Sequence, residues 1–280
     1  MTYDVLGPGA LDYLPCRYGT SKLLFRGPKR PLDKPYVAFL GGTETYGKFI
    51  ANPFAELVEK EIGVPCVNLG YLNAGIDVFV HDPFITSAAG RADVTVVQIV
   101  GAQNLTNRFY SVHPRRNDRF VSASPLLKTI FAQVDFADFH FNKHMLSHLQ
   151  MVSPERFETV IDELQQAWIA RMRLMLGQIS GKIVLLWLSG QTPDQAISVG
   201  QDGLSGLGAD PLFVTRKMMG RIAPLVTEVV EVVATRRALC AGTQGMVYSQ
   251  MEEPAAEEML GPLAHEEAAM ALAPIIKRLC

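Results

Sequence analysis

The stretch VAFLGGTETYGKF, Val37 to Phe49, runs an apolar segment into two glycines. It then offers a hydroxyl at Thr43, a carboxylate at Glu44 and an ammonium at Lys48. Two chemistries fit those residue types. Gly42, four further residues and Gly47-Lys48 match the G-x-x-x-x-G-K spacing with which backbone N–H groups and a lysine cradle a phosphate. Against that, Phe49 stands where a phosphate loop needs Ser or Thr to hold magnesium. Glu44 would put a like charge inside the cradle, and the next helix signal, Asn52-Pro53, comes too late to aim an N-terminus at a phosphate. In the second chemistry Thr43 is a nucleophile. A hydroxyl at the C-terminal end of the first strand of a parallel sheet lies at the edge where such sheets bind ligands. The plainer role for Thr43 is a turn or cap residue that bonds local backbone.

A nucleophilic hydroxyl needs a base, and the chain has six histidines. His265 stands at the start of the C-terminal helical segment and is the candidate base; its plainer role is a surface residue there. DFHFNKHMLSH places His140, His144 and His148 at i, i+4 and i+8, one face of a helix, and a His pair at that spacing is able to bind zinc. No Cys or acidic ligand follows at a standard spacing, although Asp135 and Asp138 lie upstream. The expectation is a helix face of satisfied histidines without a metal. His81 and His113 are isolated, and Arg115 and Arg116 read as a solvated basic turn.

The elements that must position these groups alternate along the chain. Tyr36–Leu40, Pro65–Gly70, Ala92–Gly101, Lys182–Ser189 and Thr227–Ala234 are largely apolar runs of strand length, and Ala92–Gly101 is β-branched along most of its length. Between them lie helical segments: one from Asn52-Pro53 to Gly63, one opening at Ser153-Pro154-Glu155 and running to near Gly177, and one near Val214 to Leu225. The chain ends in HEEAAMALAPIIKRLC, and a Gly-rich loop spans Gly200 to Pro211. This alternation predicts a mostly parallel sheet with helices on both faces.

Four segments in order resemble the blocks of the SGNH, or GDSL-like, hydrolases. GGTETYG resembles the first block, G-D-S-x-T-x-G. NLGYLNAGID (Asn68 to Asp77) resembles the second, VQIVGAQNL (Val97 to Leu105) the third, and PLAHEEAAMALAPII (Pro262 to Ile276) the fifth. The departures are equally specific. Gly42 replaces the family's Asp, Thr43 its Ser, Gln103 or Asn104 its Asn, and Pro262 the Asp before the histidine. The resemblance implies a three-layer α/β/α sandwich with a mostly parallel five-stranded sheet. It also implies an ester hydrolase or O-acyltransferase acting on a small or carbohydrate-type acyl ester. Carried over by position, Thr43 is the nucleophile, His265 the base, and Gly75 or Gly70 with Asn104 or Gln103 the oxyanion donors. Glu44 is a further substrate-binding candidate, and Glu266 or Glu267 a substitute for the missing Asp. The alternative is a catalytically degenerate relative whose pocket binds a ligand or a protein partner.

Composition bounds the rest. A formal net charge of −2 gives no electrostatic reason to expect nucleic acid or an anionic membrane. The start MTYDVLGPGALDYLP carries no signal-peptide pattern, and no apolar run approaches the ~18 residues of a membrane helix. Cys16, Cys66, Cys240 and Cys280 are widely spaced, which suits reduced thiols in the cytoplasm. The expectation is an extended lead-in over residues 1–35 and one α/β domain over 36–280. That domain would carry an irregular, partly helical insert at about 105–150 and no cofactor.

Overall fold

Apolar runs become central strands here because helices cover both of their faces. The computed structural model describes residues 11–195 and 206–280. Among these the strands are β1 (Val37–Leu40), β2 (Cys66–Asn68), β3 (Val94–Gln98), β4 (Tyr110–Val112), β5 (Phe120–Ala123), β6 (Lys182–Ser189) and β7 (Glu228–Val233). Five form one sheet in the order β2-β1-β3-β6-β7, and every pairing in it is parallel. The helices are α1 (Thr43–Tyr46), α2 (Phe54–Ile62), α3 (Asp77–Val80), α4 (Pro83–Arg91), α5 (Pro125–Ile130) and α6 (Asn142–Val152), followed by α7 (Pro154–Gln178), α8 (Arg216–Ile222), α9 (Arg236–Ala241), α10 (Glu253–Glu257) and α11 (Pro262–Leu279).

Strand alternation builds two cores. Ala38 and Leu40 of β1, with Ile183, Leu185 and Trp187 of β6, face the larger core, where α3, α4 and the long α7 pack. Val37 and Phe39, with Val184 and Leu186, face the second core under α2 and α11. This is the expected α/β architecture. β2 follows β1 on one side and β3 lies on its other side, so the chain changes direction at β1. In parallel sheets a cleft opens beyond the strands' C-terminal ends at such a point.

Three local expectations need correction. Pro53, not Asn52, is the N-cap of α2, and it makes no side-chain capping bond. α11 starts at Pro262, so His265 is its fourth residue, one turn inside the helix. His140 lies before α6, so only His144 and His148 share that helix. Residues 105–150 also hold an antiparallel β4–β5 pair besides helix. Of the Gly200–Pro211 loop, residues 200–205 lie outside the described residues. The lead-in packs closely where it is described: Tyr18, Leu23 and Phe25 join the larger core, and Cys16 bridges Phe25. All four cysteines are free. Among the described residues, no helix is long and apolar enough to cross a membrane.

Candidate functional site

A four-residue helix cannot hold itself together, so α1 depends on side chains from elsewhere. The Oε1 of Gln98, at the end of β3, accepts from Gly42 N (3.1 Å), Thr45 N (3.1 Å) and Thr45 Oγ1 (2.5 Å). On the other side the buried Arg26 donates to the carbonyls of Gly47 (2.5 Å) and Ala51 (2.9 Å). Asn68 Nδ2 donates to Thr45 O at 2.7 Å. These contacts present Thr43 and Glu44 to the cleft. They also set aside the phosphate-loop alternative. Gly42 and Thr45 N–H point at Gln98, while Tyr46 and Gly47 N–H point back into the turn. Lys48 Nζ lies over the Phe49 ring at 4.4 Å instead of curling over the loop.

The Thr43 hydroxyl is engaged by Asn73. It accepts from Asn73 N at 2.9 Å and donates to Asn73 Oδ1 at 3.2 Å. His265 lies behind the cleft wall, fully buried and stacked on Phe54 at 5.6 Å. Its Nδ1 accepts from Phe54 N at 3.2 Å, which supplies the cap that Pro53 cannot. A ring nitrogen that accepts an N–H is unprotonated, so the neutral imidazole carries its proton on Nε2. Nε2 faces Glu44 Oε2 at 3.4 Å, and Glu44 Oε1 accepts from Leu260 N at 3.3 Å. The structure therefore brings His265 to Glu44, and Thr43 and His265 share no hydrogen bond. All six histidines lie among the described residues, and none is hydrogen-bonded to Thr43.

The four oxyanion candidates are likewise engaged within the protein. Gly75 N donates to Asn117 Oδ1 at 3.1 Å and Gly70 N to Asn68 Oδ1 at 2.9 Å. Close approach explains both glycines. A Cβ on Gly75 would come within 1.5 Å of Asn104 O, and one on Gly70 within 2.4 Å of Tyr46 N. Asn104 joins an amide chain: its Nδ2 donates to Asn73 O at 3.2 Å, and its Oδ1 accepts from Asn142 Nδ2 at 3.0 Å. Gln103 Nε2 donates to Asp210 Oδ1 at 3.1 Å, and the buried Gln103 Oε1 has no hydrogen-bond partner. Gln103 O accepts from the buried Tyr110 hydroxyl at 2.7 Å, and burial pushes that phenol's pKa up.

Thr43, Glu44, Asn73, Gln103 and Asn104 line a cleft of about 610 Å³ at the C-terminal edge of the sheet. Phe141, Lys143 and Asp118 face them from the 105–150 stretch. Leu188, Leu239 and Met259 make a more apolar opposite side. Lys143 pairs with Asp210 at 2.7 Å. Burial pulls the Lys143 pKa down, but Asp210 and Glu258 outweigh it and hold the ammonium above its ordinary value.

The histidine row does not converge. His140 is exposed ahead of α6, while His144 and His148 pack against the Phe139 ring at 5.0 and 5.3 Å. Among the described residues, no three His, Cys, Asp or Glu side chains are grouped to hold a metal ion.

The sequence reading missed Asn73, Gln98 and the acidic cleft residues. Asn73 has a left-handed φ of 52°, and an asparagine ahead of Ala-Gly is a visible candidate for that conformation. Gln98 was visible as an amide closing an apolar strand. His265 could have been placed from its spacing, because 265, 268, 269, 272 and 276 form the buried stripe of α11.

Several solved structures are similar in chain path. One is a carbohydrate esterase family 2 enzyme with a carbohydrate-binding domain from Corynascus thermopiles (Myceliophthora fergusii). It is 11% identical over 91% of this chain and 69% of that one, with a TM-score of 0.41. A lipase from a goat rumen metagenome is 9% identical over 85% and 97% of the two chains, with a TM-score of 0.44. A catalytic mutant of an acetylxylan esterase from Geobacillus stearothermophilus is 13% identical over 86% and 94%, with a TM-score of 0.40. No curated protein matches the chain. The match that spans the whole sequence, residues 1–280, is to the family described as "Domain of unknown function (DUF6473)", and the chain belongs to that family.

Proposed function

We propose that this chain is a ligand-binding protein on an SGNH-like α/β scaffold, its cleft taking a small hydroxylated ligand of carbohydrate type. The observation that carries this reading is the state of His265. Its Nδ1 lone pair is occupied by Phe54 N–H and its Nε2 carries the proton, so it has no lone pair to take a proton from Thr43. Amides and carboxylates around the cleft suit hydroxyl groups on a ligand. The same reading treats residues 36–280 as one domain whose 105–150 insert forms one wall of the cleft.

A second reading keeps ester hydrolysis and moves the base to Glu44. It is favoured by the way Leu260 N donates to that carboxylate, with His265 Nε2 3.4 Å behind it, while its other face meets the cleft. Glu44 would take a proton from water as the water's oxygen attacks the acyl carbon, then return it to the departing alkoxide.

Calorimetric titration with glucose and xylose, beside hydrolysis assays on p-nitrophenyl and O-acetyl-sugar esters, tests both. The binding reading expects saturable sugar binding and no turnover. Turnover abolished in Glu44→Gln but retained in Thr43→Ala would favour the second reading. Turnover lost in Thr43→Ala would overturn both and restore Thr43 as nucleophile.

A further inference from the structure

A chain of amides links the 105–150 insert to Thr43, and its hydrogen-bonding sense is fixed at both ends. Asn117 anchors the insert end. Its Oδ1 accepts from Gly75 N and Val78 N, each at 3.1 Å, and its Nδ2 donates to His113 O at 3.0 Å. The fully buried Asn142, first residue of α6, donates through Nδ2 to Asn117 O at 2.6 Å and to Asn104 Oδ1 at 3.0 Å. Asn104 in turn donates through Nδ2 to Asn73 O at 3.2 Å. A backbone carbonyl only accepts, so Asn117 O and Asn73 O leave each of these two amides one orientation.

Asn142 holds that orientation at a cost. Its own Oδ1 is buried and has no hydrogen-bond partner, and a buried acceptor left unmatched lowers stability. An apolar side chain of the same shape would avoid that cost, but Asn73 O would then hold the Asn104 amide alone. Asn104 lines the cleft. Its Oδ1 is turned to Asn142 and one Nδ2 proton to Asn73 O, which leaves the second Nδ2 proton as the donor of this side chain to the cleft. Thr43 has no proton to spare beside it, because its hydroxyl donates to Asn73 Oδ1.

We propose that Asn142 is a positioning residue for ligand binding: it holds the Asn104 amide with its free N–H toward the cleft, where that N–H meets an oxygen acceptor of the ligand. This rests on the binding reading above and names the bond that the insert secures in that same cleft. A donor fixed before the ligand arrives has little rotamer freedom left to lose on binding, which is how preorganisation raises affinity.

The test is NMR of the full chain with isotope-labelled asparagine, beside calorimetric titration with glucose. In the wild type one Nδ2 proton of Asn104 should exchange slowly, held by Asn73 O, and the other should exchange freely and shift as glucose is added. Two slow protons would overturn the inference, since no donor would then reach the cleft. Asn142→Ala should narrow the difference between the two protons and weaken glucose binding about threefold, and Asn104→Ala should weaken it about fivefold. The double variant should bind no more weakly than Asn104→Ala alone, because Asn142 acts through Asn104. Additive losses, or an unchanged Asn104 signal and affinity in Asn142→Ala, would reduce Asn142 to a structural amide. Asn142→Ser takes the place of Asn142→Ala if melting curves show the latter unfolded at the titration temperature. No glucose binding by the wild type would overturn the binding reading and the ligand contact with it, while the exchange pattern still decides how Asn104 is held.

Discussion

Two adjoining parts of the cleft are built on opposite principles. The β1–α1 side is fixed from within: Gln98 holds its N–H groups, Arg26 holds its carbonyls, and His265 backs Glu44. The Glu257–Gly261 rim, joined to that side where Leu260 N donates to Glu44, has exposed glutamates that form no salt bridge with a described lysine or arginine. Of the groups that the motif would assign to chemistry, His265 and the two glycines hold the scaffold. Asp118, Glu257 and Glu258, which no motif marks, line the cleft.

The strongest test of that contrast is Arg26→Ala. It removes the side-chain donors to Gly47 O and Ala51 O and empties the volume of a buried side chain, and should lower unfolding stability by about 3–4 kcal/mol in urea denaturation. A loss below ~1 kcal/mol would mean that the loop holds without its clamp. His265→Ala comes next, at roughly 3 kcal/mol from the lost α2 cap and the cavity left behind. His265→Gln keeps an acceptor and should recover part of this. If both variants keep wild-type stability, His265 is not the structural cap described here.

Alkaline titration probes the same side. Burial pushes the Tyr46 phenol up to about 12 from its ordinary 10.0. A raised folded-state pKa means full stability below pH 10 and loss as pH climbs toward 12. Stability should fall by roughly 2–3 kcal/mol across that window for Tyr46 alone. Tyr46→Phe should flatten the fall, and an unchanged curve in the variant would assign it to other groups. The smallest effect belongs to the Glu257–Gly261 rim. Glu257→Gln and Glu258→Gln should each stay within about 0.5 kcal/mol of wild type. A large stability loss there would erase the contrast.

The sheet was legible because parallel strands covered on both faces read as near-continuous apolar runs, as in KIVLLWLS and the β-branched VTVVQ. Proline and serine at the start of α7 marked its boundary for the same local reasons. The site was less legible, because a motif gives residue order and not the partner a side chain meets. Thr43 and His265 keep the order of a nucleophile and a base. One extra turn of helix before His265 then carries its ring under α2, where it meets Phe54 N and Glu44. Gly70 and Gly75 were recognised as special positions, but contact with neighbouring backbone requires them. Asp118, Lys143 and Asp210 lie on segments without periodicity, so only the folded chain brings them to one cleft.

The cap on α2 has a consequence for vectorial synthesis. Phe54 is made 211 residues before the imidazole that accepts its N–H. At ~5–20 residues per second the ribosome takes roughly 10–40 s to cover that distance. Through that interval the nascent chain carries a helix with an open first turn and a Glu44 without His265 behind it. The β1 side of the cleft is thus completed only when the last helix emerges.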